Sequence, residues 1–273
     1  MRAVLGSVVY RKAEAYLNDF FQSIAEQTTD DFSLLLLNDD MDPQELRRIL
    51  SGYSLSAEVI FVPGKTPAQL RIELLRQAKQ RRVDLLILGD CDDRLSGTRV
   101  ARVKRVWTEN PEDTFFYNEL RSMRGARMMP ELPKKVCDFK EIGECNFLGL
   151  SNAAFNMRKI CFDFIDSLEE FSYEIFDWYL FSRLLLEGFC GRKVEDCFTV
   201  YRLHANNIAG ETNFSETNIR RELEVKQKHY ASLKKYHAYY AEKCRQYQKL
   251  ENCERADARD TYFWWNLLKA IEN

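Results

Sequence analysis

No two of the eight cysteines stand in a C-x-x-C pair, and only three histidines occur in the 273 residues, at 204, 229 and 237. No Cys or His cluster has zinc-ligand spacing, which argues against a zinc site. No apolar run approaches the roughly 20 residues that span a bilayer. The N-terminal MRAVLGSVVYRK has one charge ahead of a short apolar run and no small-residue cleavage site, so it reads as a first strand, not a signal peptide. Scattered cysteines without a signal suggest reduced thiols in a cytoplasmic protein. The net charge is only −2, so bulk charge selects neither nucleic acid nor an anionic membrane. Internal repeats and low-complexity segments are absent.

What remains is an ordinary soluble composition, 45% hydrophobic and 30% charged, long enough for one large α/β domain or a domain plus a helical annex. AVLGSVVY (3–10), FSLLLLN, AEVIFV and DLLIL read as strands, the second almost continuously apolar, as in a sheet covered on both faces. Between them lie helical patterns. KAEAYLNDFFQSIAEQ sets Tyr16, Leu17, Phe20, Phe21 and Ile24 on one face, and DPQELRRIL has Asp42 as cap and Pro43 in its first turn. PAQLRIELLRQAKQRR and SGTRVARVKRVW complete the alternation, which predicts a doubly wound, mostly parallel sheet. DTFFYNEL and KVEDCFTVYRL are further strand candidates, 121–146 reads as a long loop, and SYEIFDWYLFSRLLLEG is a helix ending at Gly188.

In such a sheet ligands bind outside the carboxyl ends of the strands. Tyr10, Asp39 and Asp90 all fall at that edge. The stretch VDLLILGDCDDRLSG puts Asp90, Asp92 and Asp93 into four positions. Carboxylates so close repel unless a cation sits among them, and hard oxygen ligands suit Mg²⁺ or Mn²⁺. The same residues also fit a turn, with Asp93 capping the helix that begins near Ser96. By spacing alone, Asp177 fits a solvated helix face, Arg71 a basic one with Arg76 and Lys79, and His204 a surface pair with Arg202.

The ordered segments resemble the family 2 glycosyltransferases of the GT-A fold. VVYRKAEAYLNDFFQSIAEQTTDDFSLLLLNDD is similar to that family's opening, and RIELLRQA to its RNxGxxxA. LILGDCDD is similar to its metal-binding FLDADD, NFLGLSNAAF to its acceptor-side segment, FDWYLFSRLLLEG to EDWELxxRLxxxG, and YRLHANNIAG to YRxHxxN. The likeness spans about residues 3–210. It implies a GT-A domain over 1–210, with a nucleotide-sugar half to about 110, an acceptor half after it, and a helical extension over 211–273. It further implies that Tyr10 borders the base, Asp39 accepts from a base N–H, Arg71 approaches the base or diphosphate, and Asp90 contacts the ribose or a metal-bound water. Asp92 would ligate the metal, His204 would approach the metal or diphosphate, and Asp177 would be the general base. Four departures stand out: Ser7 or Val8 replaces the opening proline, Arg11 the asparagine, Asp40 the glycine of DDGS, and Phe176 the first acid of the ED pair.

The expected activity is a metal-dependent, inverting transfer of a sugar from a nucleoside-diphosphate donor, UDP or dTDP favoured, to a hydroxyl of a saccharide or lipid-linked acceptor. A non-catalytic nucleotide-sugar binder stays open, favoured by Phe176 and Asp40. A sugar nucleotidyltransferase is less well served, because YRKAEAYLND holds no glycine for a phosphate loop. In the extension, residues 211–250 carry nine Lys/Arg against five Glu among several tyrosines, and Phe263, Trp264, Leu267, Leu268 and Ile271 follow. That pattern fits packing on the catalytic domain or on a second subunit, with membrane contact at most peripheral.

Overall fold

Strand β1 (Ala3–Tyr10) is buried at every position but its last, because helices cover both of its faces. The structure is a computed structural model that describes residues 1–129, 131–170, 175–203 and 216–250. Along β1, Val4 and Val8 enter one core while Ala3, Leu5 and Val9 enter the other, the period-2 alternation of a pleated strand. Helices α1 (Glu14–Ala25), α2 (Pro43–Gly52) and α4 (Arg99–Glu109) contribute to the second core, α3 (Pro67–Gln80) to the first. The starts are capped as composition dictates. Asp42 accepts from the N–H groups of Gln44 and Glu45, and Thr66 and Gln69 form a reciprocal box ahead of α3.

Strands β2 (Ser33–Asp39), β3 (Ala57–Phe61) and β4 (Leu85–Leu88) join β1 in the parallel order β3-β2-β1-β4. Beyond β4 the sheet departs from simple alternation. The two-residue β5 (Arg94–Leu95) pairs far away, at the opposite end. The next neighbour of β4 is an antiparallel strand from late in the chain, β8 (Ala153–Asn156), followed by β6 (Phe115–Ser122). Strand β9 (Gly191–Tyr201) runs parallel to β6, with β5 and the short β7 (Lys135–Val136) on its flanks. The architecture is thus α/β with a mixed, mostly parallel sheet.

The 121–146 segment is more ordered than a long loop. It holds the return of a hairpin from β6, then β7 and a 3-10 turn at Phe139–Ile142. It also corrects the expectation of reduced cysteines, since Cys137 and Cys190 form a disulfide. A sequence separation of 53 hides the pairing in the sequence. Antiparallel register makes it: Val136 faces Gly191, so the residues just outside that pair face one another at a Cα separation of 4.4 Å.

Helix α5 (Phe162–Ser167) leads to α6 (Phe176–Leu186), which ends where Gly188 takes φ +80°. Helices α7 (Glu216–Leu233) and α8 (Ala238–Leu250) form a hairpin whose Tyr230, Leu233, Tyr240 and Tyr247 are buried in the first core. His229 of α7 stacks on Trp178 of α6 at 3.6 Å between ring centroids, and Arg183 of α6 donates to the Tyr236 hydroxyl at 2.8 Å. The boundary near 210 and the apolar stretch 262–271 lie outside the described residues, and no described helix is long and apolar enough to cross a membrane.

Candidate active site at the strand edge

Tyr10 and Asp39 are register partners at the carboxyl ends of β1 and β2. Gly89 follows β4, and its carbonyl accepts from Ser7 Oγ at 2.7 Å, so the chain leaves β4 tied to β1. The acidic stretch therefore begins beside Tyr10. One carboxylate oxygen from each of Asp90, Asp92 and Asp93 falls within 4.8 Å of the others.

Each acid has its own surroundings. Asp93 is buried; its Oδ2 accepts from Ser151 Oγ at 2.5 Å and its Oδ1 from the Arg202 N–H at 2.9 Å. Burial, with Asp90 and Asp92 close by, pushes its carboxyl well above the usual range. It does not cap α4 as the turn reading had it; Thr98 occupies the N-cap and makes no side-chain cap bond. Half-buried Asp90 accepts from the Arg71 guanidinium, and burial still raises its pKa, with Asp92 adding to the rise. Arg71 thus faces the site from α3 and is not part of a solvated basic face. Arg202 Nε donates to the Asp92 carbonyl at 2.9 Å, and its guanidinium reaches Asp19 at 2.5 Å. Burial raises the Tyr10 hydroxyl too, helped by Asp92, so Tyr10 stays neutral.

Asp177 is in the first turn of α6, where its Oδ1 accepts from the Trp178 N–H at 2.7 Å. It is half-buried, not solvated. Burial raises its carboxyl to about 7, and it feels both Asp90 and Arg71. The fold thus brings Asp177 within electrostatic reach of an acid 87 positions earlier, on a different element. Phe176 beside it is buried in the core. Asn152, from the supposed acceptor segment, is also buried and donates to the Asn118 carbonyl at 2.7 Å. His204 lies outside the described residues.

Sequence reasoning missed Arg99. It opens α4 fully buried, donates to the Ala153 carbonyl at 3.3 Å, and leaves Nε and Nη1 without a partner. Burial lowers its pKa to about 10, while Asp93 and Asp90 favour its charge. An isolated buried guanidinium is costly, and the acidic cluster offsets part of that cost. A cation one residue ahead of the apolar face of an amphipathic helix gives no signal of this.

No family model matches the sequence, and no curated protein matches it. Solved structures do. S. aureus TarS 1–349 in complex with UDP-GlcNAc superposes with a TM-score of 0.56 at 14% identity, over 85% of this chain and 72% of that one. The mannosyltransferase PcManGT from Pyrobaculum calidifontis, in complex with GDP-Man and Mn²⁺, gives 0.55 at 15% identity, over 99% and 73%. TarS 1–349 alone gives 0.55 at 12%, over 94% of each chain. At such identity the likeness concerns the fold. The fold is of GT-A type.

Proposed function

We propose that the protein is a glycosyltransferase that moves a sugar from a nucleoside diphosphate to an acceptor hydroxyl. The observation that carries this is the convergence of the Asp90–Asp92–Asp93 carboxylates, Arg71 and Asp177 at one edge of a GT-A sheet. The solved relatives in complex with UDP-GlcNAc and with GDP-Man and Mn²⁺ support it.

A divalent cation fits the site. The Asp90, Asp92 and Asp93 carboxylates form an all-oxygen cluster of the kind Mg²⁺ and Mn²⁺ favour, and burial together with the neighbouring acids raises the carboxyls of Asp90 and Asp93. Asp93 is committed to Ser151 and Arg202, so Asp92 would hold the cation, with Asp90 beside it. The bound cation supplies positive charge where the departing diphosphate gains negative charge. His204 belongs to the same proposal.

The remaining roles fall to the chain itself. Tyr10 borders the base, and Asp39 accepts an imide N–H, which favours a uridine or thymidine donor. Arg71, held by Asp90, faces the diphosphate. Asp177 takes the acceptor proton as the hydroxyl attacks; a carboxyl near 7 is half ionised at neutral pH and basic enough for that step. With Asp177 as the base and no second carboxylate assigned as nucleophile among the described residues, the reaction reads as a single displacement with inversion. Calorimetry with UDP, dTDP and GDP, with and without Mn²⁺, followed by turnover of the matching nucleotide sugars, tests the reading. Metal-independent binding, or no binding of any nucleotide, would overturn it. Tight metal-dependent binding without turnover or donor hydrolysis would favour the non-catalytic binder that Phe176 leaves open.

A further inference from the structure

Arg121, near the end of β6, stands opposite Arg127 across the turn that follows. On its other side Arg121 pairs in register with Val200 of β9, and Val200 pairs with Arg94 of β5. Exposed Arg124 sits in the turn between them. The hairpin is closed by hydrogen bonds from the Ser122 N–H to the Ala126 carbonyl, 2.8 Å, and from the Met128 N–H to the Leu120 carbonyl, 3.0 Å. Gly125, at φ +82°, makes the turn that a side chain would strain.

Residues directly opposed in an antiparallel pair are about 5 Å apart, and like charges there repel. Among the described residues a single acid answers the Arg121–Arg127 pair. Glu119 Oε1 accepts from Arg121 Nε at 2.9 Å and lies 3.2 Å from Arg127 Nε. Arg94 and Arg124 make no ion pair among the described residues. On the hairpin itself, the three guanidiniums of Arg121, Arg124 and Arg127 meet one carboxylate among the described ion pairs, a local excess on a chain of net charge −2. Arg121 also lies over the Phe198 ring, 4.1 Å from its centroid, which restrains its plane before any ligand arrives.

The place of the hairpin decides what the excess is for. Strand β8 is antiparallel to both β4 and β6, so the carboxyl ends of β4 and β6 share one edge. Two strand spacings, roughly 10 Å, separate them. Two residues past Val200, Arg202 bonds Asp93 and the Asp92 carbonyl, so the arginine row ends against the acidic centre. A donor diphosphate held at β4 does not need these groups. We propose that the hairpin binds a phosphate group on the acceptor, gripped by the guanidinium forks of Arg121 and Arg127. Calling its carrier the acceptor rests on the glycosyltransferase reading; the phosphate site itself does not.

The test uses the full chain and two sources of phosphate: glycerol 3-phosphate in solution, and phosphatidylcholine vesicles doped with phosphatidylglycerol. Binding by calorimetry and by co-sedimentation is expected to weaken as salt rises. The pair Arg121→Gln, Arg127→Gln should weaken it at least about tenfold, as for lost hydrogen bonds to a charged group. Arg121→Lys with Arg127→Lys, which keeps charge but loses the fork, should fall between. Binding of the soluble probe alone assigns a soluble carrier, and binding of the doped vesicles alone assigns a lipid phosphate. Failure of the wild type to bind either, or a Gln pair that binds as the wild type does, overturns the proposal. A nucleotide-induced rise in melting temperature in the Gln pair shows that it is folded. Absence of that rise in the wild type as well would sink the glycosyltransferase reading and leave the phosphate site to its own result.

Discussion

Tyr10 and Asp39 are the last paired residues of two adjacent parallel strands, so an aromatic ring and a carboxylate stand side by side at the sheet edge. On the proposed reading they flank one base. Asp39→Ala should weaken UDP binding by about 10- to 100-fold, the range for a lost hydrogen bond to a charged group. Calorimetry checks it, and tighter binding of GDP than of UDP by the wild type would show that the base has been misassigned.

Asp92→Asn removes one charge from the acidic cluster and leaves its shape. UDP should still bind this variant, but added Mn²⁺ should no longer tighten the complex. Thermal shift reads this easily, since saturation at a hundredfold excess over Kd is worth about 2.7 kcal/mol. An undiminished Mn²⁺ effect would move the cation elsewhere.

Asp177→Asn should keep nucleotide affinity while kcat falls about 10²- to 10⁴-fold. In the wild type kcat should rise with pH through about 7, as the carboxyl becomes the base that the reaction needs. Stability carries the opposite sign. A folded-state pKa above the unfolded value of about 3.9 means that the native state binds the extra proton, so stability falls as pH rises between roughly 4 and 7. Asparagine does not titrate. The melting-temperature advantage of Asp177→Asn over wild type should therefore widen across that window, and a constant gap would mean that the carboxyl is not raised.

Gly191 faces Phe115 in register, and a Cβ there would collide with the Phe115 ring. That ring is fully buried, 5.1 Å from the Phe181 ring, and has little room to retreat. Gly191→Ala should cost about 1–3 kcal/mol in denaturant unfolding. A change within 0.5 kcal/mol, the range of ordinary surface substitutions, would mean that the core yields there more easily than its packing implies.

The first 110 residues were legible because their information is local. Leu34 to Leu37 announce a covered strand, Asp42 and Thr66 sit where helix starts need them, and Asp90 follows an apolar run. The part that follows depends on long-range pairing. β8 is only four residues, AAFN, and becomes a strand because β4 and β6 lie on either side of it. Cys137 and Cys190 meet only once β7 joins β9. Asp177 looked like a solvated helix residue by spacing, and only the family likeness marked it. Its burial and its reach to Asp90 are tertiary facts, as is the isolation of Arg99 behind the cluster.

The stack of His229 on Trp178 has a consequence for the order in which the molecule is made. Ribosomes release a chain from its N-terminus, and domains form as their parts emerge. The strands that carry Tyr10 and Asp39 and the one that leads into Asp90 are all synthesised within the first third of the chain, with covering helices between them. The helix that carries Asp177 appears far later, and the surface it leans on, Tyr230, Tyr240 and Tyr247, comes after that. A nascent chain therefore presents Tyr10, Asp39 and Asp90 well before it can bring Asp177 within their reach, and Asp93 gains its partners Ser151 and Arg202 only as the later strands arrive.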